Sequence, residues 1–163
     1  MFKNHYGETV TVVLAIVMGL IMAFAVVIVD GLEFHFSNIF SIWAMITLVI
    51  LLVSAVLPYK EWSARFTGLF HLREGGAAYR AVDNLLPSLI LNTFNTAIVS
   101  AANIFYNESI PASAQAGIWL DGVLRSWPVT FVISYFAAFA AEEAGKYIAA
   151  RYCVPSQAAD LQN

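Results

Sequence analysis

The chain is short of charge, of cysteine and of histidine, and each shortage closes off a class of function. Only 12% of its 163 residues are charged, about half the share of a soluble domain. So little charge cannot cover a globule of this size with polar surface, which points to a lipid-facing exterior. Cys153 is the only cysteine, so an intrachain disulfide and a cysteine metal cluster are both excluded. His5, His35 and His71 are scattered without ligand spacing, and no metal site is expected from them. There is no HExxH, no Ser/His/Asp or Cys/His set and no glycine-rich phosphate loop. Neither catalysis nor a bound cofactor is therefore expected. A net charge of -3 with no basic run offers no footing for nucleic acid.

What the chain does hold is hydrophobic residues, 60% of the total, with a mean hydropathy of +0.73. Hydrocarbon about 30 Å thick takes about 20 apolar residues per helix. Val10 to Val29 is one such run without charge, and Ile39 to Leu57 is a second, interrupted only by Ser41, Thr47 and Ser54. The third runs from Leu85 to Tyr106, with Asn84 as its N-cap and Pro87 in its first turn, where proline costs least. The fourth is placed at 126–145, although only the 15 residues from Trp127 to Ala141 are free of charge. Either Asp121/Arg125 or Glu142/Glu143 must then enter the membrane boundary, or the bilayer must thin. "AFA" at 23–25 resembles a signal-peptidase site, but the apolar stretch continues to Val29 and the preceding segment holds Lys3 against Glu8. An uncleaved first span is expected. The fold class is all-α: one integral membrane four-helix bundle with a loop at 58–84 and a tail at 152–163.

Basic residues orient it. Lys3, Lys60, Arg65, Arg73, Arg80, Lys146 and Arg151 fall on one side of these spans, and only Arg125 of the eight falls on the other. The positive-inside rule puts both termini and the 58–84 loop in the cytoplasm. Within that loop Trp62, Phe66, Leu69 and Phe70 recur at i, i+4, i+7 and i+8. This is the spacing of a helix lying in the headgroup plane, with Lys60 and Arg65 free to meet anionic lipid. "EGG" at 74–76 is expected to end it.

The plan is a helix pair, a basic loop and a second helix pair, which a duplication would make parallel repeats. Laying Asp30 on Asn103 sets Met22 against Asn95 and Val26 against Val99, while laying Trp43 on Trp127 aligns the second helices. The segment "GVLRSWPVTFVISYFAAFAAEEAGKYIAARY", with the polar span before it, resembles the DUF2798 family of small bacterial membrane proteins. Met18, Met22, Val26 and Asp30 would echo that family's first helix, and Leu57-Pro58-Tyr59-Lys60 the basic end of its second. Glu142/Glu143 depart from it, standing where the family has a small residue and proline. The resemblance implies two tandem helix-pair units in a bacterial inner membrane and carries no activity.

The third span holds the most information. At 100° per residue, Ser88, Asn92, Asn95, Thr96, Ser100, Asn103 and Asn107 share one side, within about 140°. Ile90, Phe94, Ile98, Ala101 and Phe105 take the other. Carboxamides facing lipid tails would lose their hydrogen bonds at several kcal/mol each. The stripe must therefore face other helices, water or a second chain. Two readings compete: a polar path for a small solute or ion, or interhelical glue worth roughly 0.6–2 kcal/mol per bond.

Glu142, which caps the fourth span, joins this stripe as a candidate for a pathway, because ionisable groups near lipid default to a functional reading. Asp30 ends the first span and is expected to meet water, and joins the stripe only by an inward tilt towards Asn103. Against that, Glu142 and Lys146 form an i, i+4 pair that could snorkel to the interface, and Asp121 and Arg125 form another. Ala137, Ala141 and Gly145 make a ridge of small residues, as do Gly19 and Ala23, for packing within the chain or in a homodimer. The expected function is a small transporter or permeation protein for a small polar or cationic solute, as a homo-oligomer in the bilayer. The alternative is a non-catalytic accessory subunit whose polar face binds a partner membrane protein.

Overall fold

The structure, a computed structural model, describes residues 5–153; Lys3 and most of the 152–163 tail lie outside them. The described residues form α1 (Tyr6–Val29), α2 (Phe36–Val56), α3 (Tyr59–Gly68), α4 (Ala77–Phe105) and α5 (Ala112–Tyr152), with no strand among them. All but α3 are long and apolar enough to cross a membrane. Short connections at 30–35 and 106–111 make α1–α2 and α4–α5 antiparallel hairpins. Ser126 bonds Asp30 at this hairpin end. At the opposite, loop end, Thr9 meets Cys153 at 3.4 Å and Lys60 reaches Thr11 at 3.1 Å.

The molecule is apolar on the outside as well as the inside. On α1 Val12, Ile16, Leu20, Phe24 and Ile28 recur every fourth residue, and all are exposed. Leu48, Leu52 and Val56 do the same on α2, as do Val132 and Phe136 on α5. Water would penalise such continuous apolar stripes, whereas lipid tails do not. Facing inward on α1 and α2 are Met18, Met22, Ile46 and Ile50, each at most 1% exposed.

Small residues set the helix spacing. A Cβ added to Gly145 would meet the Val10 backbone oxygen at 3.0 Å, and one added to Gly19 would meet Thr47 Oγ1 at 2.5 Å. Ala137, Ala141, Gly145 and Ala149 are buried on α5, and this ridge lets α1 and α5 form the most extensive helix contact in the chain. It is therefore occupied within the chain.

Three local expectations are corrected. Asn84 does not cap α4, which begins at Ala77 after the N-cap Gly76 and places Pro87 well inside the helix. Proline donates no N–H, so the carbonyl four residues earlier, that of Asp83, loses its helical partner. Ser63 Oγ on α3 donates to that carbonyl instead. The tertiary contact thus satisfies what the proline removed, and α4 continues. Second, α3 ends at Gly68, and "EGG" opens α4 rather than closing α3: Gly75 takes a left-handed φ of 75° just before the cap. Third, the segment before residue 126 is helical from Ala112, giving α5 41 residues, roughly 60 Å of helix. Ala, Gln, Leu and Trp in "ASAQAGIWL" are compatible with helix throughout, and Pro111 stands at the N-cap.

The short α3 packs one side on α4, and of the four apolar residues Phe66 is half-buried. Trp62, Leu69 and Phe70 are exposed, while Ser63 and Thr67 are buried against α4. Thr67 Oγ1 donates to Asp83 Oδ1 at 3.3 Å, and Ser63 Oγ, 2.9 Å from the same oxygen, shares its single hydrogen between it and the Asp83 carbonyl.

Candidate functional site: a polar file on α4

The polar side of α4 is buried within the chain over part of its length. Ser88, Asn92 and Asn95 are at most 2% exposed and Thr96 is 9% exposed, whereas Leu89, Phe94 and Ile98 face outward. Ser100 is half-buried. Asn103 departs from the file: one turn from the helix end, it is exposed and lines neither interior cavity.

The opposing wall comes from α5, where Ser126, Thr130 and Ser134 recur every fourth residue. Asn92 Nδ2 donates to the Trp127 carbonyl at 3.2 Å, and Thr96 and Thr130 share a hydroxyl hydrogen bond of 3.2 Å. These bonds are the interhelical glue anticipated for such residues. Two buried groups are different. Asn95 has neither its Nδ2 nor its Oδ1 bonded, and Ser88 Oγ is also without a partner among the described residues. Buried polar atoms are nearly always paired, so each of these calls for an explanation.

Each unpartnered group borders a cavity. At the hairpin end Asn95, Thr96, Ser100, Ser126, Thr130 and Asp30 line a cavity of about 20 Å³ together with Met22, Val26, Ile46 and Val99. That is room for a single water-sized group. Asp30 sits at its mouth, exposed as a residue, with Ser126 Oγ donating to Oδ1 at 3.2 Å. Lost hydration raises the Asp30 pKa above the usual carboxylate value, and the Ser126 bond offsets part of the rise.

At the loop end a larger cavity of about 280 Å³ is walled by Ser88, Asp83, Asn84 and Glu142, with Lys60, Tyr59 and Ser63 from the α3 side. Leu14, Met18, Leu91 and Ala138 supply its apolar lining. Asn84 Nδ2 donates to Glu142 Oε2 at 3.3 Å, and Lys146 holds Glu142 Oε1 at 2.6 Å. Glu143 is more exposed and meets Arg80 at 3.4 Å. Asp121 and Arg125 pair at 3.7 Å on the surface, away from either cavity.

The structure thus brings Ser88, Asn92, Asn95, Thr96, Ser100, Asp30 and Glu142 into or between two cavities and leaves Asn103 outside. It adds Asp83, Asn84, Ser126 and Thr130. The α5 members were detectable as a four-residue polar repeat. Asp83 was not, because its position depends on the proline-freed turn that α3 covers. No family model, curated protein or solved structure matches the chain.

Proposed function

We propose that this is a small integral membrane transporter or permeation protein, a four-helix bundle of two helix-pair units. It moves a small polar or cationic solute along the inward face of α4. The carrying observation is Asn95: a carboxamide 2% exposed, with donor and acceptor both unbonded, bordering a cavity that reaches Asp30. Packing alone gives no reason to keep such a group, since leaving it unpaired costs about 1–3 kcal/mol. A passing solute or water that bonds it does give one. The basic residues put the loop end in the cytoplasm of a bacterial cell, with the hairpin end outside its inner membrane.

On this reading the two cavities are the ends of one path, closed between them by the Asn92–Trp127 bond and the side chains of Met18 and Met22. Cysteine labelling tests it. In a Cys153→Ser background, Ser88→Cys, Asn95→Cys and Ser100→Cys should react with a water-soluble thiol reagent in membranes, while Phe94→Cys and Ile98→Cys should not. Protection of all three polar positions would overturn the path and favour an accessory subunit that binds a partner membrane protein through this face.

A further inference from the structure

The loop-end cavity has a charge pattern of its own. Two of its wall residues carry charges with no opposite partner. Among the described residues no cation lies within ion-pair distance of Asp83, and no carboxylate within that distance of Lys60. Glu142, the third charged residue of the wall, is already neutralised by Lys146 at 2.6 Å. Asp83 receives only hydroxyls, from Ser63 and Thr67, and Lys60 Nζ only donates to Thr11. The wall therefore presents one free negative and one free positive group.

Three further features narrow the occupant. Ser88 Oγ, fully buried and unpartnered, borders the cavity and needs a hydrogen-bonding neighbour from inside it. Val10, Leu14, Met18, Leu91 and Ala138 line the remainder, so part of the occupant is apolar. The volume of about 280 Å³ lies just under the range of pockets for drug-sized ligands, about 300–1,000 Å³. A molecule of metabolite size fits.

We propose that this cavity binds a small zwitterion with an apolar side chain, the chemistry of an aliphatic α-amino acid. The ammonium group meets Asp83, the carboxylate meets Lys60, Ser88 bonds either polar group, and the side chain lies against Leu14, Met18 and Leu91. The assignment rests on the permeation reading and names the solute class of that path. A solute with only an ammonium group would leave Lys60 unanswered, and one with only a carboxylate would leave Asp83 unanswered.

Calorimetry on the full chain in lipid nanodiscs at pH 7 tests it with three probes of nearly the same shape. L-valine carries both charges, isobutylamine only the ammonium and 3-methylbutanoate only the carboxylate. Valine should bind at least tenfold more tightly than either analogue. Asp83→Asn should abolish the preference for valine over 3-methylbutanoate, and Lys60→Met the preference over isobutylamine. Should Asp83→Asn loosen α3 and fail to fold, Lys60→Met still decides the matter, because Lys60 is exposed. No valine binding, isobutylamine binding as tightly as valine, or an unchanged preference in Lys60→Met would each overturn the proposal. Binding requires no transport, so the two readings fail separately. Absent valine binding with Asn95→Cys still labelled rejects the ligand class and keeps the path, whereas valine binding with all polar positions protected keeps the site and rejects the path.

Discussion

The two helix pairs solve the same packing problem by different chemistry. Between α1 and α2 the contact is nearly all apolar, centred on Met18, Met22, Ile46 and Ile50, with Gly19 admitting Thr47 and Trp43. Its side-chain hydrogen bonds are those of Trp43 to the Ile16 carbonyl at 3.0 Å and Thr47 to the Ala15 carbonyl at 3.4 Å. Between α4 and α5 the contact is held by Asn92, Thr96, Trp119, Trp127 and Tyr135, each bonding across to the other helix. One pair relies on close steric fit and the other on polar bonds. Only the polar pair leaves an amide unbonded.

Some positions of the two pairs can be laid on one another, though the first helices need one offset and the second helices another. An offset of 73 positions sets Met22 on Asn95 and Val26 on Val99, and an offset of 84 sets Trp43 on Trp127, Ile46 on Thr130 and Ile42 on Ser126. Met22, Val26 and Ile46 face Asn95, Val99 and Thr130 around the same hairpin-end cavity. The tryptophans follow suit. Trp43 donates to the carbonyl of residue 16, and Trp127 donates to Thr93 Oγ1, which itself donates to the carbonyl of residue 89 at 2.7 Å. Positions 16 and 89 differ by the same 73. The cavity is thus lined by apolar side chains from the first pair, Asp30 apart, and by largely polar ones from the second.

That contrast can be broken at its steric side first. Gly145→Leu should have the largest effect, because its side chain would press on the Val10 backbone, which cannot rotate away as a side-chain tip can. A loss of about 3 kcal/mol is expected, read as a lower thermal midpoint by circular dichroism in detergent. Gly19→Ala should cost less and be partly rescued by Thr47→Ala, since the obstructing atom there is a hydroxyl. Equal costs in both variants, with no rescue, would contradict the steric account.

Next comes the proline-freed turn, which only the second pair shares with α3. Ser63→Ala leaves the Asp83 carbonyl unanswered and should destabilise by about 1–3 kcal/mol. Adding Pro87→Ala, which restores the helical N–H, should recover part of that loss. If it recovers none, the coupling between Pro87 and Ser63 is wrong.

The polar side is sharpened by a pair of substitutions one turn apart. Asn92→Leu removes the bond to Trp127 and should cost about 1 kcal/mol. Asn95→Leu removes no bond and should be neutral or stabilising, while reducing thiol-reagent access to Ser100→Cys in the same chain. A destabilised Asn95→Leu would assign this amide to packing.

The smallest effect is titration of Asp30. Its folded pKa is raised, so the folded state holds the proton more tightly than the unfolded chain. Stability is then greatest below the unfolded value of 3.8 and falls as pH rises through the window from there up to the raised folded value. Asp30→Asn should flatten this slope in thermal midpoints measured from about pH 3 upward. A wild-type midpoint that rises with pH in a way that depends on Asp30 would reverse the sign and refute it.

Several features are legible in the sequence. Four apolar runs, a basic bias to one side and a polar stripe on the third run follow from composition and period, and the helices form where those patterns stand. Of the apolar residues picked out by spacing in the 58–84 loop, Trp62 is exposed on α3, while Leu69 and Phe70 are exposed just beyond its end. Other features were hidden because they depend on contacts distant in sequence. Asn84 read as a cap because Pro87 suggests a helix start, and nothing nearby reveals that Ser63 would satisfy the freed carbonyl. Asn103 lay on the correct face, yet the face runs past the cavity before reaching it.

Sequence by itself determined which surfaces avoid water and which side of α4 must avoid lipid, because both follow from transfer energies summed along a regular helix. Tertiary structure alone decided which amides are bonded and which are not. Asn92 and Asn95 are alike in type and in burial, yet Asn92 meets the Trp127 carbonyl on another helix and the Thr96 hydroxyl on its own, and Asn95 meets neither.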